Sequence, residues 1–342
     1  DAGVFHAKDA ILSGPAGGIV GMAQTAKAAG FDQVIGFDMG GTSTDVSHFS
    51  GQYERDSETM IAGARIRAPI MRIHTVAAGG GSICGFDGTR FFVGPHSAGA
   101  VPGPACYRRG GPLTVTDCNV MLGKIVPAHF PAVFGPDGNA PLDDAIVREK
   151  FKALAAEVAR ATGQMLSPQQ IAEGFLTIAV ANMANAIKTI SVQRGHDVTR
   201  YTLACFGGAG GQHACLVADA LGMDRVMIHP LAGVLSAYGM GLADRRVLRE
   251  RTVGLSLDST TAPAELDASI AALGRAAEGA MRAQGVAGPL QREAAVMLRL
   301  AGTDSLIEVP HGPLTQMKAA FEAAYRERFG FVGTAAEFAE MV

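Results

Sequence analysis

Cysteine is sparse in this sequence and unpaired in pattern, with five residues, an odd number, and no CxxC. That spacing excludes a disulfide framework or a zinc finger and fits a reducing, cytoplasmic compartment. Tryptophan is absent. Charge of one sign never dominates: 29 basic residues face 32 acidic ones, for a formal net charge of −3. No nucleic-acid surface and no anionic-membrane surface is therefore expected. No apolar run reaches the length needed to span a bilayer, and no secretory leader pattern is visible. Neither GxGxxG nor GxxxxGKS/T occurs, so a Rossmann fingerprint and a Walker P-loop are both excluded. Glycine, by contrast, is abundant at 44 residues and clustered. Such clusters let backbone approach a ligand closely, although loops alone account for some of them. A hydrophobic content of 48% over 342 residues suits a sizeable core with room for two domains.

The richest stretch is Val34-Ile35-Gly36-Phe37-Asp38-Met39-Gly40-Gly41-Thr42-Ser43-Thr44-Asp45-Val46-Ser47. An apolar strand ends at Asp38, a polar glycine turn follows, and an alternating strand resumes at Asp45. Gly40 and Gly41 open the backbone N–H groups to an anion, and Thr42 and Thr44 add hydroxyl donors. Asp38 and Asp45 suit a magnesium ion held through its waters, or the orientation of an attacking water. The plainer alternative is a β-hairpin with a Gly-Gly turn. Two aspartates and two threonines in one turn favour phosphate binding.

Two further glycine runs follow strands. His74-Thr75-Val76 leads into Gly79-Gly80-Gly81-Ser82, the composition of another anion-cradling turn, with His74 as a proton carrier or a structural histidine. Tyr201 to Phe206 leads into Gly207-Gly208-Ala209-Gly210-Gly211 and then a helix closed by Gly222. Strand, glycine turn and helix N-terminus form a nucleotide cradle in many folds. Cys106 lies in a Gly/Pro-rich loop with no base beside it, which argues against a cysteine nucleophile. Helices are expected after Ser13, after Asp143 or Asp144, and after the Ser167-Pro168-Gln169-Gln170 capping box. Thr114 to Asp117 reads as a short strand, with a helix cap at Thr116 or Asp117. Past Arg246 the glycine clusters thin out, and the rest reads as a small α+β module.

These runs resemble a known family. GFDMGGTSTDVS is similar to the second phosphate loop of the actin, sugar-kinase and heat-shock-chaperone ATPases. It resembles more closely the A subunit of the hydantoinase/5-oxoprolinase family. SGPAGG at 13–18, HTVAAGGGSI at 74–83, GPHSAGAVPGPACYRRGGPLTVTDCNVMLG at 94–123 and FGGAGGQHA at 206–214 extend the likeness in the right order. His96, Val101 and Cys118 depart from the family's commoner residues.

The resemblance implies an α/β fold: an actin-like ATPase lobe at 1–245 with a mixed sheet flanked by helices, and a C-terminal α+β segment at 246–342. It implies ATP and Mg²⁺, with Mn²⁺ or K⁺ as other ions. Asp38 would position metal or water, alongside His74 as a catalytic candidate, and Asp45 and Asp117 would be further metal ligands. Gly40, Gly41, Thr42 and Thr44 would hold the β/γ-phosphates. Gly79, Gly80, Gly81 and Ser82 would line the nucleotide and substrate cleft, and Gly207, Gly208 and Gly210 would hold the adenosine. The implied activity is ATP-dependent hydrolysis of a small cyclic amide of hydantoin or 5-oxoproline type, through phosphorylation of its oxygen. The alternatives are a ketone carboxylase subunit and a non-catalytic nucleotide-binding module. The implied partners are an upstream N-terminal lobe, a B-type subunit or fused half, and further copies in an oligomer. The sequence opens at Asp1 and runs through Ala10-Ile11-Leu12 straight into a motif. That opening predicts a piece of a longer polypeptide, inactive or weak alone because the other phosphate loop lies elsewhere.

Overall fold

Apolar residues at Ile19, Met22, Ala23 and Ala26 recur at helical spacing and make Ser13–Ala28 the first helix, α1. The computed structural model describes residues 13–61, 64–256, 261–300, 303, 305–330 and 338–341, so the lead at 10–12 lies outside the described residues. The chain divides into two compact units, one of residues 1–193 with 197–243 and one of residues 194–196 with 244–342.

In the first unit α1 is followed by strands β1 (Gln33–Met39), β2 (Thr44–Ser50), β3 (Arg55–Ile61), β4 (Ala64–Met71), β5 (His74–Val76), β6 (Ser82–Phe86) and β7 (Phe91–Ser97). Helices α2 (Val115–Met121), α3 (Asp144–Thr162) and α4 (Pro168–Ile190) come next. Then follow β8 (Thr202–Phe206), α5 (Ala214–Leu221), β9 (Val226–Ile228) and α6 (Leu235–Leu242). Five strands form one mixed sheet in the order β5-β2-β1-β8-β9. The β5-β2-β1 side is antiparallel and the β1-β8-β9 side parallel.

Strand β1 is central, and its near-continuous apolar run is buried on both faces. One face packs Val34, Phe49, Ala204 and Phe206 against Ile19 and Met22 of α1 and Leu235 of α6. The other packs Ile35, Phe37, Met39, Val46 and Leu203 under α4, with α2, α3 and α5 completing the layer. This is the expected mixed sheet with helices on both faces. Strands β3 and β4, and β6 and β7, form separate two-stranded ribbons. The Gly/Pro-rich stretch read as loop from Gly94 begins instead inside β7, which runs to Ser97.

Helix ends follow local chemistry. Asp143 caps α3 by accepting from the Ile146 N–H, and Ser167 with Gln170 closes a capping box on α4. At α2 the expectation of a strand fails. Thr114 is the N-cap and Asp117 returns a bond to the cap N–H, so the capping box outweighs the β-branched run Thr114-Val115-Thr116. Contrary to the absence of spanning runs expected from sequence, α4 has the length and composition to cross a membrane. It is the central helix of this unit's core, with Ile171, Phe175, Met183 and Ile187 fully buried.

The second unit carries β10 (Leu255–Ser256), α7 (Ala262–Ala283), β11 (Ala295–Leu300), β12 (Ile307–Pro310), α8 (Leu314–Phe329) and β13 (Phe338–Met341). Its sheet order is β10-β13-β11-β12. Leu266 of α7 and Phe321 of α8 pack with Val296, Leu298 and Val309 of the strands, the expected α+β arrangement.

Candidate functional site

Strand direction gathers the three glycine runs. Strand β2 is antiparallel to β1 and β5 is antiparallel to β2, while β8 is parallel to β1. So β1, β5 and β8 run the same way and end at one edge of the sheet. Each is followed by its glycine turn, at 40–43, 79–82 and 207–211. Ligands of open α/β sheets bind beyond such carboxyl ends.

The turns hold one another. Gly80 and Gly81 donate from their N–H groups to the Gly40 and Gly41 carbonyls, at 3.1 and 2.6 Å, and Ala209 donates to the Met39 carbonyl at 3.0 Å. A Cβ on Gly79 would lie 2.6 Å from the Thr42 carbonyl carbon, so the first two turns touch backbone to backbone. Gly207 has φ +83°, and a Cβ there would lie 2.5 Å from Asp38 Oδ1. Only glycine combines that left-handed conformation with that approach. Gly207→Ala is expected to weaken nucleotide binding at least about tenfold by pushing the Asp38 carboxylate aside, read by calorimetry, because a 1.4 kcal/mol misplacement already gives that factor.

Two carboxylates face each other inside this ring. Asp38 and Asp45 are direct cross-strand partners, and Thr75 follows in the same row on β5, its hydroxyl donating to Asp45 Oδ1 at 2.5 Å. Ser236 of α6 reaches Asp38 Oδ2 at 3.5 Å. Burial, and then the negative Asp45, push the Asp38 pKa from 3.8 up to about 6. No lysine or arginine among the described residues forms an ion pair with either carboxylate. Like charges placed opposite each other destabilise a sheet, and a hard cation with oxygen ligands relieves them. The donor set therefore fits Mg²⁺.

The open donors lie in the first turn. Gly41 and Thr42 are exposed. The N–H groups of Gly41, Thr42 and Ser43, and the Thr42 hydroxyl, find no hydrogen-bond partner among the described residues. Gly208 is likewise exposed, with open space where a side chain would be. The first turn thus leaves backbone amides without a partner among the described residues, next in the chain to the strand ends that carry Asp38 and Asp45.

Several residues singled out from sequence have other work. The Gly40 N–H closes its own turn onto the Ser43 carbonyl. Thr44 is fully buried and its hydroxyl donates to the Ala78 carbonyl. The Gly79 N–H goes to Ser82 Oγ at 2.9 Å and the Ser82 N–H to the Gly79 carbonyl at 3.0 Å. Gly79, Gly80, Gly81 and Ser82 thus brace the first turn and offer no free amide. Gly210 is buried, with Cys205 Sγ 2.7 Å from where its Cβ would be, so it serves packing. His74 pairs with Val46, one residue out of step with Asp38 and Asp45, which puts it on the opposite sheet face from the carboxylates. The register therefore does not bring His74 together with Asp38.

Asp117 is also reassigned. It is fully buried, and its oxygens accept from the N–H groups of Ala105, Cys106 and Thr114 and from the Thr114 hydroxyl, at 2.8–3.0 Å. Three of these donors meet Oδ2 and one meets Oδ1, so in this structure the carboxylate caps α2 and holds the 105–106 backbone. Arg108 likewise braces a loop, donating to the Pro141 carbonyl and pairing with Asp143 at 2.9 Å.

Sequence reasoning missed Thr116 and Asn119 of α2. Thr116 donates from N–H and hydroxyl to the Gly80 carbonyl, at 2.8 and 2.9 Å. Asn119 Nδ2 donates to Gln212 Oε1 at 2.7 Å and to His213 Nε2 at 3.1 Å. Burial, then the Lys124 charge, push the His213 pKa down to about 4, so the ring is neutral at pH 7 and carries its proton on Nδ1. His213 Nδ1 and Asn119 Oδ1 are buried without a hydrogen-bond partner among the described residues.

Cys106 is fully buried, and burial with the nearby Asp117 raises its thiol pKa far beyond the usual range. Cys84, Cys118 and Cys205 are buried as well, and only Cys215 is exposed. Native thiol titration is therefore expected to label Cys215 rapidly and the other four only on unfolding. Rapid labelling of Cys106 would reopen a cysteine mechanism.

Comparison with known proteins follows this geometry. The family model described as hydantoinase/oxoprolinase matches residues 1–249. A protein named 5-oxoprolinase 1 from Arabidopsis thaliana is 50% identical over 247 residues, which is 70% of this chain and 20% of that protein. A 5-oxoprolinase from Pestalotiopsis fici is 42% identical over 334 residues, 96% of this chain and 26% of that one. Among solved structures, an ATP-dependent caprolactamase from Pseudomonas jessenii superposes with a TM-score of 0.83 at 27% identity. It covers 96% of this chain and 48% of its own. The chain thus spans about a fifth to a quarter of the length of the curated relatives it matches.

Proposed function

Because the chain belongs to the hydantoinase/oxoprolinase family, we propose that it supplies the nucleotide-binding lobe, residues 1–245, of an ATP-dependent hydrolase of small cyclic amides. Residues 246–342 are the accompanying α+β segment. The relatives named 5-oxoprolinase and caprolactamase support the substrate class. The observation that carries the reading is the turn at 40–43, whose amides at 41–43 have no partner among the described residues, beside the Asp38–Asp45 pair and bonded by backbone to the other two glycine turns.

ATP, with Mg²⁺ neutralising its phosphates, supplies the phosphoryl group that makes a resistant amide oxygen a leaving group. The chain's own residues position and stabilise. The N–H groups of Gly41, Thr42 and Ser43 and the Thr42 hydroxyl hold phosphate oxygens. Asp38 and Asp45, adjacent across β1 and β2, hold the metal directly or through water. Gly208 leaves the base side of the cleft open. Donors fixed in place before the reaction are where electrostatic catalysis gains its advantage. The missing parts are assigned to the rest of the polypeptide or to its partners. These are a second phosphate loop on an upstream lobe, a B-type subunit or fused half, and further copies in an oligomer.

The test is calorimetry of ATP-Mg²⁺ on the full natural polypeptide, followed by turnover with 5-oxoproline, a hydantoin or a larger lactam. Thr42→Ala is expected to weaken ATP about tenfold or more, since a hydrogen bond to a charged group is worth about 1.5–3 kcal/mol. ATP hydrolysis coupled to amide opening supports the assignment. Turnover that requires bicarbonate and a ketone would assign the lobe to a carboxylase, and binding without turnover would make it a nucleotide-responsive module.

A further inference from the structure

We propose that Asn119 is a positioning residue that fixes the distance between the phosphate-side and nucleoside-side walls of the cleft. This rests on the nucleotide reading given above and deepens it.

The brace begins at α2. Its first turn is locked by the Thr114–Asp117 capping box, and Val115, Cys118 and Val120 anchor it in the core. Thr116 and Asn119 are three residues apart, so they share one helix face, about 4.5 Å apart along the axis. Thr116 grips the Gly80 carbonyl with two donors. The Gly80 and Gly81 N–H groups in turn grip Gly40 and Gly41. The phosphate-side turn is thereby tied to the N-terminal end of α2.

Asn119 ties the other wall. Its carboxamide bridges Gln212 and His213, the residues that follow the 207–211 turn, and Lys124 adds a bond from Nζ to the Gln212 carbonyl at 3.0 Å. The roots of the two walls are also joined directly, by the Ala209 N–H on the Met39 carbonyl. That contact sits at the strand ends. The far side of the 207–212 turn is held by Asn119 and Lys124. Asn119 is fully buried and lies behind the walls, so its effect passes through Gln212 and His213.

A ligand that touches one wall gains nothing from this brace. A ligand that touches both gains from walls held at a fixed spacing, as a linked pair of sites gains effective concentration. The two classes of ligand separate the idea from a general loss of fold. Calorimetry would be run with ATP-Mg²⁺ and with inorganic tripolyphosphate, and ligand-observed NMR with adenosine, on the full natural polypeptide. In Asn119→Ala, tripolyphosphate and adenosine should stay within about twofold while ATP weakens at least tenfold. The KM for ATP should rise by the same factor, with kcat at saturating ATP changed less than about threefold.

Gln212→Ala removes the partly exposed partner and leaves the buried asparagine in place. It should show the same selectivity at about three- to tenfold, and the double variant should be no worse than Asn119→Ala. Unchanged ATP affinity in Asn119→Ala would overturn the brace, as would equal loss of all three ligands in both variants. Wild-type protein that binds none of the three would overturn the nucleotide reading itself, and the brace with it. Wild-type binding with no selective loss overturns the brace alone.

Discussion

Asp38→Asn should abolish ATP-dependent turnover and, above neutral pH, make the protein melt at a higher temperature. Both effects come from one geometry. Asp38 lies opposite Asp45, partly buried, and among the described residues the long Ser236 contact is the one side-chain bond in its favour. Its pKa is raised from 3.8 to about 6, first by burial and then by the Asp45 charge. The folded state therefore holds the proton more tightly than the unfolded chain does. Below pH 3.8 both states are protonated and the site costs nothing. Between 3.8 and about 6 the unfolded chain ionises first, so stability falls as pH rises, and above 6 the penalty is complete. The carboxylate is still partly open to solvent, which reduces the effect to about 1–2 kcal/mol, or a few degrees of melting temperature.

Asparagine keeps the shape and removes the charge, so the variant should gain that amount at pH 8 and nothing at pH 4. With one of the two carboxylates neutral the cation should be held less tightly, and turnover should fall about 10²–10³-fold or more. Thermal melts of both proteins at the two pH values, with turnover assays, check the pair of effects. A variant that melts lower than wild type at pH 8 would show that the carboxylate is already stabilised by a partner charge. The same pKa places a limit on function, since ATP-Mg²⁺ affinity should decline as pH falls through about 6. Stability given up at a pair of facing carboxylates is a common sign of a functional site.

The outline of this site was legible in the sequence, and its division of labour was not. Glycine clusters after apolar runs are a local signal, and all three turns were visible that way. Capping residues gave α3 and α4 for the same reason. What each amide does depends on its neighbours. Gly41 and Gly80 look alike in sequence, yet the Gly41 N–H has no partner among the described residues while Gly80 donates to Gly40. His74 and Thr75 differ by one residue, and only the pairing of β5 with β2 places Thr75 with the carboxylates and His74 behind the sheet. A one-residue step flips a strand's side chains, so strand composition alone cannot choose between them. Asp117 was a metal-ligand candidate through the family resemblance alone, and its capping partner Thr114 stood three residues before it all along. Ser236 and Asn119 carry no local signal, because their partners lie 198 and 93 residues away.

Gly239→Ala should unfold or severely weaken the first unit, while Gly241→Ala, two residues on in the same helix, should stabilise it. Helices α1 and α6 meet backbone to backbone on one face of the sheet. A Cβ on Gly239 would overlap the Gly17 carbonyl oxygen and the Gly21 nitrogen and would lie 2.8 Å from Gly21 Cα. Those atoms are helix backbone and cannot rotate away. Relief requires the helices to part, which pulls Leu235 and Ile19 from their shared core and moves Ser236 relative to Asp38. Alanine favours a helix over glycine by about 0.8–1 kcal/mol, too little to offset overpacking of about 3 kcal/mol or more against backbone.

At Gly241 nothing lies within 4 Å of the added methyl, so the propensity gain stands alone and should appear as about 0.5–1 kcal/mol of stabilisation. Paired denaturant titrations of the two variants read opposite signs from the same chemical change. If both stabilise, the two helices can separate freely and α6 is not fixed to the core. If Gly239→Ala alone destabilises, and nucleotide affinity falls with it, the contact between α1 and α6 also holds Ser236 against the carboxylate pair.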